Sequence, residues 1–170
     1  MAPAPHTSTL HLRSARVDDA EAIREIYNVE VTTGTSVFDL EPRTLEAQRR
    51  WLEERSGVHA VVVAEVDATV VGWASLSRFR EKPCYATSVE NSIYGAHEHL
   101  GAGVGKALLA ELIRVATEHG FHTMMARIEA SNQVSIALHE RVGFVEVGRE
   151  REIGRKFGRW LDIVQMQLML

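Results

Sequence analysis

Segments with a strand pattern and segments with a helix pattern alternate along the chain. Apolar side chains that alternate with polar ones, or that run together for about six residues, are typical of β-strands. By this pattern the sequence predicts strands over 10–15, 60–65, 70–76, 88–94 and 123–128, and a final pair over 144–149 and 161–168.

Two helices are predicted before the second strand. The first follows a cap at Asp18 or Asp19, and its apolar residues at helical spacing are Ile23, Ile26 and Tyr27. It gives way to a stretch over 31–38 that is β-branched and interrupted by glycine, which favours a shaped loop. The second helix is predicted over 44–52, with Thr44 as its cap.

Two further helices are predicted in the second half. One ends at about residue 119, where Gly120 is a natural C-terminal stop. The other opens at Ser131 or Asn132 and ends before Gly143. The order is therefore strand, two helices, three strands, helix, strand, helix and two strands, which predicts a mixed α/β sheet with helices on both faces.

A glycine-rich turn precedes the third helix, in the segment Leu100-Gly101-Ala102-Gly103-Val104-Gly105-Lys106. Glycine at every second position is costly in regular structure, because glycine loses more backbone entropy on folding than other residues. Three such glycines between a strand and a helix therefore indicate a specific role for the turn. The free N–H groups and the positive dipole end of a helix N-terminus attract anions. The segment therefore predicts a phosphate cradle, and a tight turn that only caps the helix is the alternative.

Two common phosphate motifs do not match this turn. A P-loop needs Ser or Thr after its lysine, and Ala107 follows Lys106. A dinucleotide fingerprint needs a third glycine three residues after the second, and that position is Lys106. A different pyrophosphate carrier is expected.

Composition narrows the class of protein. A chain of 170 residues with 45% apolar residues is expected to form one domain over 10–170, with a flexible tail over 1–9. The net charge of −4 argues against nucleic acid as a partner, and no apolar run is long enough to span a membrane. The single cysteine, Cys84, excludes an internal disulfide and is consistent with the cytoplasm. No metal site is expected, since a polar loop accounts for His97 and His99.

Two motifs about thirty residues apart resemble those of the GCN5-related N-acetyltransferases (GNAT). The first is the glycine turn, in which Gly103 and Gly105 match the family cradle. The second is an asparagine followed by a short helix and Gly-Phe, and its matching residues are Asn132, Ala137, His139, Gly143 and Phe144. The resemblance covers about 10–168 and implies a mostly antiparallel central sheet with a V-shaped splay, flanked by helices on both faces.

Within that superfamily the chain looks most like the phosphinothricin and methionine sulfoximine acetyltransferases. The most subgroup-like segment is Lys156-Phe157-Gly158-Arg159-Trp160-Leu161-Asp162. The resemblance implies a cytoplasmic homodimer that transfers acetyl from acetyl-CoA to the α-amino group of small amino-acid analogues. Phe157 and Trp160 are expected at a dimer contact, in the pocket of a neighbouring subunit, or in the core of a simple hairpin. Leu100, Ala102 and Gly95 depart from the family pattern, and these changes bear on CoA affinity more than on the fold.

Catalytic roles fall on two residues. Glu90 lies in the strand before the cradle, and alternation puts it on one face with Ser88, Ser92 and Tyr94. Because an amino-acid amine is largely protonated at neutral pH, Glu90 is the candidate base, working through a water; the alternative is a surface glutamate. His139 stands where many family members carry the tyrosine that protonates the thiolate. It is either that proton donor or a packing residue.

The resemblance also implies the binding residues. Backbone groups of Ile93, Tyr94 and Gly95 would meet the pantetheine arm, and Asn132 would bond it or cap its own helix. The pyrophosphate would lie on Gly101, Ala102, Gly103, Val104, Gly105 and Lys106. Acceptor contacts would come from Phe38, Arg80, Glu81, Lys82, Glu90, Asn91 and Ser92.

Two of these predicted acceptor contacts also have a purely structural explanation. Arg80 can bind a carboxylate in a bidentate manner, and otherwise it is a solvated surface charge. Phe38 walls the acceptor pocket, or it belongs to the core.

The sequence thus predicts direct attack by the amine in a ternary complex, with no covalent acetyl-enzyme. Methionine sulfoximine, methionine sulfone and phosphinothricin are the leading acceptors. A protein N-terminus or a polyamine is the alternative acceptor, and a CoA-binding module without turnover is the alternative from another class.

Overall fold

A computed structural model of the chain describes residues 9–55 and 57–170. Seven strands are present: β1 (His11–Ser14), β2 (Val61–Val66), β3 (Thr69–Arg78), β4 (Ser88–Gly95), β5 (Thr123–Glu129), β6 (Val145–Lys156) and β7 (Arg159–Met169). The four α-helices are α1 (Ala20–Thr33), α2 (Leu45–Glu53), α3 (Val104–Glu118) and α4 (Gln133–Arg141). The predicted tail lies outside the described residues except for Thr9.

All seven strands form one sheet in the order β1-β2-β3-β4-β5-β7-β6. Every neighbouring pair is antiparallel except β4 and β5, which are parallel. These two strands pair only over Ser88–Glu90 and Thr123–Met125 and then part, although both continue. The expected V-shaped splay is therefore present, and it begins at Glu90.

Helices cover both faces of the sheet, as the order of elements predicts. On one face Leu108, Leu109 and Leu112 of α3 pack in a single apolar cluster with Val89 and Met124. On the other face α1 and α2 pack against β2 and β3, in a cluster that contains Ile23, Tyr27, Leu52, Val63 and Trp73. The two helix layers hold the splayed strands between them.

One prediction about the first helix is wrong, and another holds only in part. α1 continues to Thr33 rather than giving way to a loop at residue 31, because Val31 is buried in the cluster around Trp73 and packing overrides its weak helix propensity. Asp19 is the N-cap residue of α1, one of the two predicted positions, but its side chain makes no capping hydrogen bond to that helix; it accepts hydrogen bonds from the Arg13 guanidinium at 2.7 Å and from the Arg16 N–H at 2.6 Å. By contrast, Thr44 is confirmed as a cap, since its hydroxyl accepts from the Ala47 N–H at 3.1 Å.

The final hairpin is longer than its hydrophobic pattern indicates. β6 and β7 pair as far as Lys156 and Arg159, so the polar stretch between the two predicted strands is itself sheet. The turn consists of Phe157 and Gly158, both with positive φ. No α-helix among residues 9–55 and 57–170 is long and apolar enough to cross a membrane.

Candidate active site

A pocket of about 240 Å³ opens where β4 and β5 part. Because parallel strands that separate leave backbone and side chains of both exposed in the gap, the fold itself creates this opening. Eight of the residues predicted as site residues line the pocket: Phe38, Glu90, Asn91, Ser92, Ile93, Tyr94, Asn132 and His139.

Glu90 is half-buried at the point of divergence, and its side chain has no hydrogen-bond or ion-pair partner within the part of the chain that the structure describes. Burial raises the pKa of Glu90 above its ordinary value. Arg127 opposes this rise in pKa and Glu150 adds to it, so both charges act on the Glu90 carboxylate. An unpartnered carboxylate with a raised pKa has the properties of a general base.

His139 is buried, at 3% exposure, and both of its ring nitrogens face protein oxygens. Nδ1 lies 2.8 Å from the Ser135 carbonyl, and Nε2 lies 3.1 Å from Asn91 Oδ1. The Asn91 amide group donates to the Met125 carbonyl at 3.1 Å, which fixes Oδ1 toward the histidine. A neutral ring can donate only one of the two bonds, while burial lowers the pKa of His139. His139 therefore ties α4 to both splayed strands.

The glycine turn leads directly into α3. Gly103 is the N-cap residue with φ of 84°, a left-handed conformation that glycine adopts without strain. The first helical hydrogen bond runs from the Ala107 N–H to the Gly103 carbonyl at 3.0 Å, so the N–H groups of the first turn have no intrahelical acceptor. The Ala102 N–H donates to the His99 carbonyl at 3.2 Å. The amide of this predicted cradle residue is therefore already hydrogen-bonded within the turn.

The cradle lies beside α4. A Cβ built on Gly105 would lie 3.3 Å from Leu138 Cδ2, so α3 and α4 approach each other closely at this glycine. Asn132 begins α4, where its Oδ1 accepts from the Ser135 N–H at 3.0 Å, which confirms its capping role. The pocket and the cradle are thus joined through one short helix.

Besides the cradle residues 101–106, four predicted site residues lie outside the Glu90 pocket. Arg80, Glu81 and Lys82 line a separate groove of about 400 Å³, which reaches β4 at Ser88. Gly95 lies at the far end of β4, in a groove bounded by α1 and the turn His97–His99. The structure therefore does not bring these four residues together with Glu90.

The loop over 34–39 forms one wall of the pocket, and hydrogen bonds fasten it from two sides. Glu129, at the end of β5, is only 5% exposed and accepts from the Thr35 hydroxyl at 3.0 Å. The Ser36 hydroxyl accepts from the Asn132 amide at 3.2 Å. Glu129 was not predicted as a site residue. Glu90 pairs with Met125, and alternation along β5 puts Glu129, four residues after Met125, on the same face of the sheet as Glu90.

Lys156, from the final hairpin, fastens the same loop from the other side. Its ammonium group is buried and donates to the Val37 carbonyl at 2.7 Å and to the Glu30 carbonyl at 3.3 Å. Phe38 is in contact with Gly154, where an added Cβ would collide with the Phe38 ring. The sequence carried no signal for this role of Lys156 beyond its place in the subgroup-like segment.

Residues 12–165 match the family model described as an acetyltransferase (GNAT) domain. The chain belongs to the GNAT acetyltransferase family. It is 39% identical to L-amino acid N-acyltransferase MnaT of Escherichia coli (strain K12) over 164 residues, which are 95% of this chain and 94% of that protein. Relatives of 37–39% identity include methionine sulfoximine and phosphinothricin acetyltransferases, so the resemblance is confirmed.

Solved structures of other GNAT proteins share the fold. Ribosomal-protein-alanine N-acetyltransferase from Brucella melitensis has a TM-score of 0.92 at 42% identity, over 94% of this chain and 99% of that chain. A phosphinothricin acetyltransferase from Sinorhizobium meliloti in complex with acetyl-CoA has a TM-score of 0.92 at 38% identity, over 95% of this chain and 89% of that chain. The predicted fold and the acetyltransferase class are confirmed, and acetyl-CoA as acetyl donor is confirmed for the family.

Proposed function

We propose that this protein transfers the acetyl group of acetyl-CoA to the α-amino group of a small amino acid or amino-acid analogue. The observation that carries the proposal is the unpartnered, half-buried carboxylate of Glu90 at the strand splay, in a pocket connected to the N-terminus of α3. When bound, acetyl-CoA supplies an acetyl group activated as a thioester.

The residues at the start of α3 fit a pyrophosphate. The amides of Gly103, Val104, Gly105 and Lys106 have no acceptor among the described residues, and the helix dipole adds positive potential there. Because these donors are backbone groups, Leu100 and Ala102 in place of the family's usual residues do not remove them. Lys106 is exposed and adds a positive charge.

Further along the same path, backbone groups of the splayed strand β4 hold the pantetheine arm. Ile93, Tyr94 and Gly95 present these groups in the manner of strand addition, and an N–H there stabilises the oxyanion. Asn132 bonds the arm with its amide group, which here donates to Ser36. Gly101 and Ala102 shape the turn that leads into the cradle.

Glu90 acts as the general base. It removes a proton from the ammonium group of the acceptor through a water, and the neutral amine then attacks the thioester directly. The raised pKa of Glu90 brings its basicity closer to that of the amine, which assists this transfer. No covalent acetyl-enzyme is needed, and Cys84 is exposed on the turn Pro83–Tyr85 rather than in the pocket.

His139 is proposed to return a proton to the leaving thiolate. As the proton donor the ring is the imidazolium, which donates from Nε2 to Asn91 Oδ1 at the pocket wall and from Nδ1 to the Ser135 carbonyl. Transfer of the Nε2 proton to the thiolate leaves a neutral ring whose Nδ1–H still bonds the Ser135 carbonyl, and the lowered pKa of His139 makes the imidazolium a stronger acid for this step.

The acceptor is proposed to bind on the Glu90 side of the sheet, in contact with Phe38, Asn91 and Ser92. Arg80, Glu81 and Lys82 are proposed to contact the acceptor from the groove that meets β4 at Ser88. Methionine sulfoximine, methionine sulfone and phosphinothricin are the leading candidates, because relatives named for acting on these compounds share 37–38% identity with this chain.

Thiol release from acetyl-CoA tests this function directly. The purified protein is assayed with a panel of amino acids and their sulfone and sulfoximine forms, and the acetylated product is identified by mass spectrometry. We expect turnover with at least one α-amino acid and none with its N-acetyl derivative. Absence of turnover with the entire amino-acid panel would contradict the proposal.

A protein N-terminus is the second candidate acceptor, since a relative of 42% identity is named a ribosomal-protein-alanine N-acetyltransferase. Peptides that begin with alanine belong in the same panel. Preference for these peptides over every free amino acid would favour the second candidate.

We also propose that the protein is a cytoplasmic homodimer that pairs through the tip of its final hairpin. Ile153, Phe157 and Trp160 are 56–60% exposed near this hairpin tip, and exposed apolar side chains favour a partner. Light scattering on the wild type and on Trp160→Ser tests this arrangement. A monomeric wild type would contradict it.

A further inference from the structure

Among the residues that the structure describes, Arg127 is the one arginine or lysine that lines the Glu90 pocket. In the parallel register Glu90 pairs with Met125, so Arg127, two residues further along β5, lies on the same face of the sheet as Glu90. Arg127 also acts electrostatically on the Glu90 carboxylate. A positive and a negative group therefore face one cavity from adjacent strands.

The guanidinium of Arg127 is held in place by one ion pair, and its other N–H donors are unused within the described part of the chain. Its Nη2 donates to Glu150 Oε2 at 2.9 Å, and Glu150 Oε1 in turn accepts a hydrogen bond from the Gln165 amide. The Arg127 side chain is 43% exposed and makes no other hydrogen bond within residues 9–55 and 57–170. Since a guanidinium carries five N–H donors, most of them remain available to a second carboxylate.

An α-amino acid carries its ammonium and carboxylate groups on one carbon atom, so both charges must be met within one pocket. Glu90 and Arg127 offer the complementary pair of charges there. Arg80 instead lies over the rings of Phe79 and Tyr85, at 5.0 and 5.3 Å, in the separate groove.

We infer that Arg127 binds the α-carboxylate of the acceptor while Glu90 faces its amine, which makes Arg127 a specificity-determining residue. Arg80 then contacts a part of the acceptor more remote from the amine. This inference rests on the proposed function, because it assigns the carboxylate subsite of the same pocket.

The test compares one good amino-acid acceptor with its carboxamide, which keeps the amine and lacks the carboxylate. The ratio of their kcat/KM values is measured by thiol release for the wild type and for Arg127→Gln. We expect the ratio to fall roughly 10- to 100-fold in the variant, since a charge-assisted hydrogen-bond pair is lost. Any effect of the substitution on the Glu90 base acts on both acceptors and cancels in the ratio.

Two further variants complete the test. Arg149→Gln removes an exposed arginine of β6 that pairs with Glu146 outside the pocket, and it is the matched control with an unchanged ratio. Glu150→Gln removes the negative charge beside Arg127 while keeping an oxygen to accept from it, so the ratio should rise. This variant gives an independent reading if Arg127→Gln does not fold.

The outcomes separate the two levels of the account. If the wild type acetylates amino acids but neither Arg127→Gln nor Glu150→Gln changes the ratio, the subsite is overturned and the proposed function stands. A fall in the ratio with Arg80→Gln alone would move the carboxylate to the other groove and also overturns the inference. If the wild type acetylates neither acceptor, both proposals fail.

Discussion

Replacing Glu90 by Gln removes the proposed base and nearly preserves the size of the side chain. Glu90 has no hydrogen-bond or ion-pair partner within residues 9–55 and 57–170, so the substitution breaks no contact that the structure records. A positioned general base contributes typically about 10²- to 10⁴-fold to the rate. At about 1.36 kcal/mol per decade, the barrier should rise by about 3–5 kcal/mol at neutral pH.

The pH dependence follows from the direction of the pKa shift. Burial raises the pKa of Glu90, so the folded protein binds this proton more tightly than the unfolded chain does. The favourable contribution to stability is fully present below the unfolded-state pKa and is lost as the pH rises through the folded-state pKa. At neutral pH the ionised Glu90 therefore costs stability, and Glu90→Gln should unfold at a higher denaturant concentration than the wild type.

Turnover of the variant should recover in part at alkaline pH, because more of the free amine is then neutral without a base. The assay is thiol release over a range from acidic to alkaline pH, together with urea unfolding at neutral pH. Glu146→Gln, on the exposed side of β6, is the matched control with unchanged rate and stability. Wild-type turnover in Glu90→Gln, or a loss that stays constant with pH, would refute the reasoning.

Three further substitutions test the surroundings of the site. Lys156→Met leaves the Val37 carbonyl without its donor and should lower the free energy of unfolding by about 2 kcal/mol, seen in urea, whereas the exposed Arg159→Met should not. Gly103→Ala places a side chain at φ of 84° and should cost about 1 kcal/mol of stability and raise KM for acetyl-CoA; an unchanged KM would count against the cradle. Phe38→Ala shortens the pocket wall and should raise KM for the acceptor roughly tenfold with little change in KM for acetyl-CoA, so equal changes in both would argue against that role.

The order of the elements was predictable because each has its own hydrophobic spacing. The first and last residues of the helices and strands were harder to predict, since they depend on contacts between residues that are distant in the sequence. α1 runs on to Thr33 because Val31 packs near Trp73, and the polar stretch before Lys156 is sheet because it pairs with β7. Neither contact leaves a local pattern in the sequence.

The candidate site divides in the same way. Alternation along β4 identified the face of Glu90, and the helix after the glycine turn identified the cradle. Arg127 and Lys156 were missed because their roles depend on strand pairing and on the position of the 34–39 loop. The prediction that put Arg80 with Glu90 came from the family resemblance, while Arg80, in the loop before β4, lines a different groove from Glu90.

A crystal structure with CoA and an amino-acid acceptor tests the central claim most directly. We predict a pyrophosphate on the amides of Gly103 to Lys106, the thiol sulfur in the gap between β4 and β5, and the acceptor amine facing Glu90. A CoA molecule whose pyrophosphate lies away from the amides of Gly103 to Lys106, with its sulfur remote from Glu90, would contradict the account.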